Sequence, residues 1–252
     1  MKKKTIIIMS SGRSGSTWLA WLLASPFRYR LLFEPFHPGH VPGAALVADR
    51  YFEPELVPGE VVDFVHNAFE DRIDSTWIAQ LSNRRLGMHR WRFWPKVRIV
   101  KIIRGNLMIP AIRNLYGDAL PIVILMRHPG AVVDSFMRVK FPWAFDISTL
   151  LAQTDFAEKY NIPLDYLRGI TTDPVGVIMA RWFIENLYLI KNAENLACTL
   201  VFYEDLIQNP AEKIRSLCNR LGIEAYHDLE EKAQKPSVTT HPRSHIRKGD
   251  RD

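Results

Sequence analysis

A glycine-rich loop between an apolar run and a helical segment constrains the fold of this chain more than any other feature. The run TIIIM (5–9) is rich in β-branched residues and is typical of a buried strand. The loop SSGRSG follows at once, and STWLAWLLAS (16–25) places apolar residues at helical spacing. Such a loop can wrap backbone N–H groups around an anion in front of a helix N-terminus. The sequence therefore predicts an anion site at residues 10–17.

Further apolar runs alternate with helical segments along the chain. Strands are predicted at 29–34, 97–103, 121–126 and 197–203. Helices are predicted at 106–116, 130–140, 175–193 and 210–222, with two short helices within 60–84. This alternation predicts the α/β class, a three-layer arrangement of a parallel sheet with helices on both faces. Ligands of such sheets bind beyond the carboxyl ends of the strands.

Length and composition narrow the class of protein. The 252 residues contain no repeat and no low-complexity linker, so we expect a single domain over 1–252. The formal net charge of +6 indicates anionic ligands, but no basic run is interleaved with stacking aromatics, so nucleic acid is not the expected partner. No apolar run approaches the roughly 18 residues of a membrane span. Two cysteines, Cys198 and Cys218, make no disulfide framework, and a cytoplasmic location is the expectation.

The loop differs from the phosphate loop of nucleoside triphosphatases. That loop has four residues between its glycines and then Gly-Lys-Ser/Thr. Here two residues separate Gly12 from Gly15, and Ser16 stands in the place of the lysine. The shorter loop suits a single 5′-phosphate, with Arg13 as a fixed positive charge. Hydroxyl donors are available from Ser14, Ser16 and Thr17.

Four segments together resemble the sulfotransferases that use 3′-phosphoadenosine 5′-phosphosulfate (PAPS), in particular their carbohydrate-type members. SGRSGSTWL resembles the loop that binds the 5′-phosphosulfate, and IVILMRHPGAVVDSFMR (122–138) resembles the 3′-phosphate motif. VFYEDL (201–206) resembles the segment whose tyrosine lies against the adenine. IRKGD (246–250) is similar to a late loop that holds the 3′-phosphate, but relatives continue with a tryptophan where this chain has Arg251.

The resemblance implies a P-loop-NTPase-like sulfotransferase fold, PAPS as donor and adenosine 3′,5′-bisphosphate as product. It implies no metal, and the two cysteines show no CxxC spacing. The donor would be bound by Ser11, Gly12, Arg13, Ser14, Gly15, Ser16, Thr17, Trp18, Arg127, Ser135, Tyr203, Arg247, Lys248 and Gly249. For Tyr203 the residues alone allow another interpretation, in which Asp205 is the N-cap of a helix.

Sulfuryl transfer also needs a charge near the leaving group and a base for the acceptor. Arg13 and Lys101 are the candidates beside the leaving group, with Arg104 as an alternative. Glu34, in FEPFHPG (33–39), resembles the glutamate that faces the acceptor in carbohydrate sulfotransferases. Its apolar neighbours predict a raised pKa and hence a better base. His37, whose unperturbed pKa suits the task, is the alternative base, and His89 is a third.

The acceptor is expected to be a carbohydrate or another small molecule with a hydroxyl or amine. Its pocket is expected from 38–95 and 141–172, the segments that match the family least. Candidate stacking or packing residues there are Trp91, Trp94, Phe141, Trp143 and Phe145. Candidate selectors of an acidic acceptor are Arg90, Arg92 and Lys96.

Two other functions remain open from the residues. A small-molecule kinase could use the same sheet, although the Gly-Lys-Ser/Thr sequence is absent and strand 121–126 is followed by Arg127 and His128 rather than by a metal-binding aspartate. A nucleotide-binding protein without catalytic activity is the other alternative. Dependence on ATP and Mg²⁺ separates the first from sulfuryl transfer, and bisphosphate binding without turnover separates the second.

Overall fold

The computed structural model describes residues 3–82, 95–139 and 141–236, without the side chain of Trp143. The described strands are β1 (Lys4–Ser10), β2 (Tyr29–Phe33), β3 (Val97–Ile102), β4 (Ile122–Met126) and β5 (Thr199–Phe202). They form a five-stranded sheet in the order β2-β3-β1-β4-β5, and every neighbouring pair is parallel. The strands predicted from the apolar runs are therefore confirmed.

Helices lie between and after the strands. They are α1 (Ser16–Leu23), α2 (Gly59–Phe69), α3 (Thr76–Ala79), α4 (Ile109–Tyr116), α5 (Pro129–Val139), α6 (Ser148–Leu151), α7 (Thr154–Tyr160), α8 (Leu164–Ile170), α9 (Pro174–Asn192), α10 (Tyr203–Gln208), α11 (Pro210–Arg220) and α12 (Leu229–Ala233). Short 3₁₀ turns cover Ala44–Leu46, Asn106–Met108 and Pro142–Phe145. Among the described helices, none is long and apolar enough to cross a membrane.

The alternating side chains of β1 separate the core into two layers. Ile7 and Met9 pack in one apolar cluster with residues of α2, α4 and α9. Ile6 and Ile8 pack in a second cluster with residues of α1 and α11. Because successive side chains of a strand point to opposite faces, these clusters lie on the two sides of the sheet. The predicted α/β arrangement with helices on both faces is confirmed.

The apolar residues of the long helix α9 are not all buried. Ile178, Trp182 and Ile190 lie at helical spacing, which is typical of one apolar face, but Ile190 is 47% exposed. The buried side of α9 carries three polar side chains, Arg181, Glu185 and Asn186, together with apolar ones. These side chains form hydrogen bonds with residues of other elements, and those bonds make their burial possible. The partners are distant in the sequence, so the sequence alone does not reveal them.

Candidate functional site

The loop between β1 and α1 turns through two residues in the left-handed region, Arg13 (φ 66°) and Gly15 (φ 85°). Glycine adopts this conformation readily, so Gly15 fits and Arg13 is the unexpected member. Gly15 is also required by space, because a Cβ there would lie 2.5 Å from two ring carbons of Tyr203. Gly15 is the N-cap of α1 and gives no side-chain cap bond. This eight-residue helix thus begins at the loop, and the N-terminus of a helix favours an anion.

Serine hydroxyls line the inside of this loop. Ser11, Ser14 and Ser16 are buried, whereas Thr17 is half-buried. The Ser11 hydroxyl accepts a hydrogen bond from Asn186 Nδ2 over 2.6 Å. The Ser14 hydroxyl is buried and has no hydrogen-bond partner in the part of the chain that the structure describes. A buried donor of this kind fits an anion that accepts its hydrogen bond.

Arg127 lies directly after β4, beside the loop. Its Nη1 donates to the Arg13 carbonyl oxygen over 3.0 Å, and its guanidinium carbon lies 4.8 Å from the ring centre of Tyr203. The Nε atom of Arg127 is buried and finds no acceptor among residues 3–82, 95–139 and 141–236. The predicted phosphate-binding arginine thus has donor capacity left beside the loop.

Ser135 on α5 also reaches the loop. Its hydroxyl oxygen accepts a hydrogen bond from Arg13 Nε over 3.0 Å. Burial, and then the positive charges of Arg127 and Arg138, lower the pKa of Arg13. Arg138 is paired with Asp134. Within the described ranges, neither Arg13 nor Arg127 forms an ion pair with a carboxylate, so their two charges favour an anionic ligand between them.

Tyr203 packs on the outer side of the loop. Its ring meets Trp18 edge-on at 6.2 Å between centroids, and it lies against Gly15 and Arg127. Helix α10 begins at Tyr203, but its N-cap is Phe202 and no side chain caps it. The interpretation of Asp205 as an N-cap is therefore wrong, because Asp205 lies inside the first turn.

A second group of charges lies at the ends of β2 and β3. Lys101 Nζ donates to Glu34 Oε1, and Arg104 Nη1 lies 3.6 Å from Glu34 Oε2. All three side chains are buried, and the Lys101 ammonium lies 4.8 Å from the ring centre of Phe33. Glu34 is in the left-handed region, at φ 44°, and its N–H bonds to the Lys101 carbonyl oxygen over 2.8 Å. The backbone thus turns the carboxylate toward the two cations.

The expectation of a raised pKa for Glu34 is wrong. Burial raises the pKa of this carboxyl, but the charge and hydrogen bond of Lys101, together with the charge of Arg104, outweigh burial and lower it below the ordinary 4.5. Burial lowers the pKa of Lys101, and the positive charges of Arg104 and Arg13 act in the same direction. The apolar neighbours in the sequence could not reveal a cation that lies 67 residues away along the chain.

His37 does not keep the unperturbed pKa that the sequence suggests. Burial, and then the charge of Arg104, lower the pKa of His37 to about 4. Its Nδ1 accepts a hydrogen bond from the Gly39 N–H over 3.2 Å. A neutral His37 with Nδ1 as an acceptor carries its proton on Nε2. Neither ring nitrogen then has a free lone pair with which to take a proton from a substrate.

Sequence reasoning missed a third group of residues, on α9. Arg181 Nη1 lies 3.3 Å from Asp49 Oδ2 and 3.1 Å from Glu185 Oε1. Burial raises the pKa of Glu185 to about 7, against the attraction of Arg181. The available signal was the i, i+4 pair Arg181 and Glu185 within the largely apolar stretch 177–190 of this helix.

Several predicted residues cannot be placed in the site. Lys96 precedes β3 and so lies at the amino end of that strand, away from Lys101 and Arg104; its expected role in acceptor choice is wrong. Phe141 is close to the loop, since the Arg13 guanidinium carbon lies 5.8 Å from its ring centre. The remaining candidates lie outside the described residues or side chains: His89, Arg90, Trp91, Arg92, Trp94, Trp143, Arg247, Lys248 and Gly249.

Across the described ranges, no three His, Cys, Asp or Glu side chains are grouped to hold a metal ion.

Comparison with known proteins points to one family. The model of the "Sulfotransferase family" matches residues 5–228. A sulfotransferase domain from the curacin biosynthetic pathway is similar in structure, with a TM-score of 0.52 and 19% identity over 96% of this chain and 82% of the other. The sulfotransferase domain of the Synechococcus PCC 7002 olefin synthase gives a TM-score of 0.50 and 18% identity over 95% and 81% of the two chains. At these identities the structural similarity supports the fold alone. No curated protein sequence matches this chain significantly.

Proposed function

This chain belongs to the sulfotransferase family, and from that premise we propose that it transfers a sulfuryl group from PAPS to a hydroxyl or amine of a small molecule or glycan. The product of the donor is adenosine 3′,5′-bisphosphate. The reaction needs no metal in this proposal. The whole chain, 1–252, acts as a single domain, and we place it in the cytoplasm on its two free cysteines.

One observation carries the proposal for the donor. Arg13 and Arg127 stand at one end of the sheet, joined by a hydrogen bond from Arg127 Nη1 to the Arg13 carbonyl oxygen. Neither has a carboxylate partner in the described parts of the chain, and each lies beside a serine hydroxyl or an unused N–H. Two such positive groups suit an anionic ligand, and a bisphosphate offers each of them a phosphate group.

In this proposal the loop and Arg127 bind different groups of the donor. We assign the 5′-phosphosulfate to the loop, through residues 11–18 and the N-terminus of α1. We assign the 3′-phosphate to Arg127 and Ser135, with Arg247, Lys248 and Gly249 as further ligands. The ring of Tyr203 faces the adenine. Its packing on Gly15 and Arg127 supports this role, since the ring bridges the loop and the arginine.

Lys101 and Arg13 stabilise the leaving group. The acceptor oxygen or nitrogen attacks sulfur, the bond from sulfur to the phosphate oxygen breaks, and its electron pair stays on that oxygen. Positive side chains near that oxygen stabilise the charge it gains. The charge of Arg13 contributes to the lowered pKa of Lys101, which supports placing both beside the same group.

Glu34 takes the proton of the acceptor. Its two carboxylate oxygens lie against Lys101 and Arg104, so the free enzyme holds this base in an ion pair. A phosphosulfate near Lys101 would compete for the ammonium and leave Glu34 a stronger base. His37 is the weaker candidate, because Nδ1 is used by Gly39 and its pKa is lowered to about 4.

The direct test is an assay with PAPS labelled at the sulfuryl group and a panel of hydroxyl and amine acceptors. Release of adenosine 3′,5′-bisphosphate together with a labelled acceptor supports the proposal. Phosphoryl transfer from ATP with Mg²⁺ supports the kinase alternative. Tight binding of the bisphosphate without transfer to any acceptor supports a nucleotide-binding protein without catalytic activity.

A further inference from the structure

One turn of helix α9 contacts the ends of two neighbouring strands. Trp182 Nε1 donates to the carbonyl oxygen of Arg127, directly after β4, over 3.0 Å. Asn186 Nδ2 donates to the hydroxyl of Ser11, directly after β1, over 2.6 Å. The same Nδ2 donates to the Trp182 carbonyl oxygen over 2.7 Å. Because β1 and β4 pair directly, with Ser10 opposite Leu125, these two contacts reach adjacent strand ends.

The contacts form a closed set of hydrogen bonds that joins α9, Arg127 and the loop. Arg127 is tied to α9 through its carbonyl oxygen and to the loop through its side chain, which donates to the Arg13 carbonyl oxygen. The loop returns to α9 through Ser11 and Asn186. Asn186 is fully buried, whereas Trp182 is half-buried. This set of hydrogen bonds therefore fixes the position of Arg127 relative to the loop from both sides.

We propose that Trp182 is a positioning residue that sets the distance between the loop and the Arg127 guanidinium and thereby selects nucleotides with two phosphates, and that Asn186 is a positioning residue that holds the loop for any 5′-phosphate. This inference rests on the proposed function, since it takes the loop and Arg127 as the two phosphate sites. A nucleoside 3′,5′-bisphosphate presents its phosphates at a separation set by the ribose. Fixing both sites in advance lowers the cost of binding both groups at once.

The two residues have different expected effects. Trp182 acts on Arg127 alone, so its loss affects a ligand only through the 3′-phosphate. Asn186 acts on the loop, which every 5′-phosphate uses. A residue that serves only for packing would lower stability and would leave the preference between two ligands unchanged.

The experiment measures dissociation constants for adenosine 3′,5′-bisphosphate and adenosine 5′-phosphate by titration calorimetry. Trp182→Phe keeps an aromatic ring and removes the N–H donor. It should raise the Kd of the bisphosphate about three- to tenfold, the worth of one neutral hydrogen bond, with little change for the monophosphate. Asn186→Leu should raise both constants by the same factor. The matched control is Asn192→Leu, because Asn192 also bonds one turn back, to the Tyr188 carbonyl oxygen over 2.7 Å.

A double variant tests whether Trp182 acts through Arg127. In an Arg127→Lys background, Trp182→Phe should have little further effect on bisphosphate binding, because residues that act as one unit are not additive. An unchanged preference between the two ligands in Trp182→Phe would overturn the inference, and so would full additivity with Arg127→Lys. If Trp182→Phe does not fold, Trp182→Tyr, which also keeps an aromatic ring and removes the indole N–H, decides: a smaller preference for the bisphosphate supports the inference and an unchanged preference contradicts it. A wild-type protein that does not prefer the bisphosphate would overturn the proposed function as well.

Discussion

The Arg13 Nε atom donates a hydrogen bond to the Ser135 hydroxyl over 3.0 Å. This bond joins the loop after β1 to helix α5 after β4, across 122 residues of sequence. It holds one guanidinium near a second, that of Arg127, although burial and then the charge of Arg127 lower the pKa of Arg13. Binding of an anion stabilises two neighbouring guanidinium charges of this kind.

Arg127→Lys should weaken bisphosphate binding. Lysine keeps the charge but loses the planar set of donors that grips a phosphate with two hydrogen bonds. Hydrogen bonds to charged groups are worth about 1.5–3 kcal/mol, so the Kd should rise at least about tenfold, as calorimetry can measure. Arg215→Lys, at an exposed ion pair on α11, is the control and should change nothing. Unchanged binding in Arg127→Lys would remove Arg127 from the site.

Gly15→Ala should damage the loop. The new Cβ would lie 2.5 Å from the Tyr203 ring, in a backbone conformation at φ 85° that alanine rarely adopts. We expect a lower melting temperature and weaker bisphosphate binding. Gly169→Ala is the matched control, since a Cβ there meets nothing within 4 Å and alanine favours the helix α8.

A further Tyr203→Ala change separates the two causes in Gly15→Ala. It removes the steric conflict but not the backbone strain, so it should restore part of the lost stability. It should not restore nucleotide binding, because Tyr203 is assigned to the adenine. Full recovery of binding would show that the Tyr203 ring has no part in it.

Glu34→Gln should keep bisphosphate binding and lose turnover by about 100- to 10,000-fold, the usual worth of a general base. The variant leaves Lys101 buried without its carboxylate, and breaking such a pair costs up to about 3–5 kcal/mol of stability. Its melting curve must therefore be recorded beside the assay. The double variant Glu34→Gln with Lys101→Met should recover stability but not turnover. Wild-type turnover in Glu34→Gln would rule out Glu34 as the base.

His37→Asn tests the alternative base. Asparagine offers an oxygen to the Gly39 N–H and so keeps the local turn, while it removes the imidazole. We expect turnover to be largely retained. The pH profile alone cannot separate the two candidates, since Glu34 and His37 both have lowered pKa values. A loss of turnover in His37→Asn as severe as that in Glu34→Gln would contradict the assignment.

Glu185 should make stability depend on pH. Its pKa is raised from 4.5 to about 7, so the folded protein favours the protonated carboxyl. Its contribution is complete below pH 4.5 and is lost as pH rises to about 7. The loss amounts to roughly 3 kcal/mol at 1.36 kcal/mol for each pKa unit. Glu185→Gln should remove this part of the dependence, measured as the difference between the two denaturation curves across pH. Parallel curves would contradict the raised pKa.

The sequence was sufficient for the sheet and for the position of the loop. β-Branched runs such as 5–9, followed by a glycine loop, favour buried strands, and parallel strands bring the residues after them to one edge. The sequence was insufficient to predict how the buried charged side chains interact. Lys101 and Glu34 meet across two paired strands, and their contact reverses the pKa shift that Phe33 and Phe36 suggest. The polar side of α9 was missed because Asn186 and Ser11 are 175 residues apart.

The most direct measurement is a thermal-unfolding titration with adenosine 3′,5′-bisphosphate, beside adenosine 5′-phosphate and beside ATP with Mg²⁺. A ligand at about 100 times its Kd adds about 2.7 kcal/mol to the stability of the native state. For a chain of this size that corresponds to a rise of roughly 5–10 °C in melting temperature. We expect this rise for the bisphosphate and a smaller one for the monophosphate. A rise with ATP and Mg²⁺, and none with the bisphosphate, would contradict this expectation.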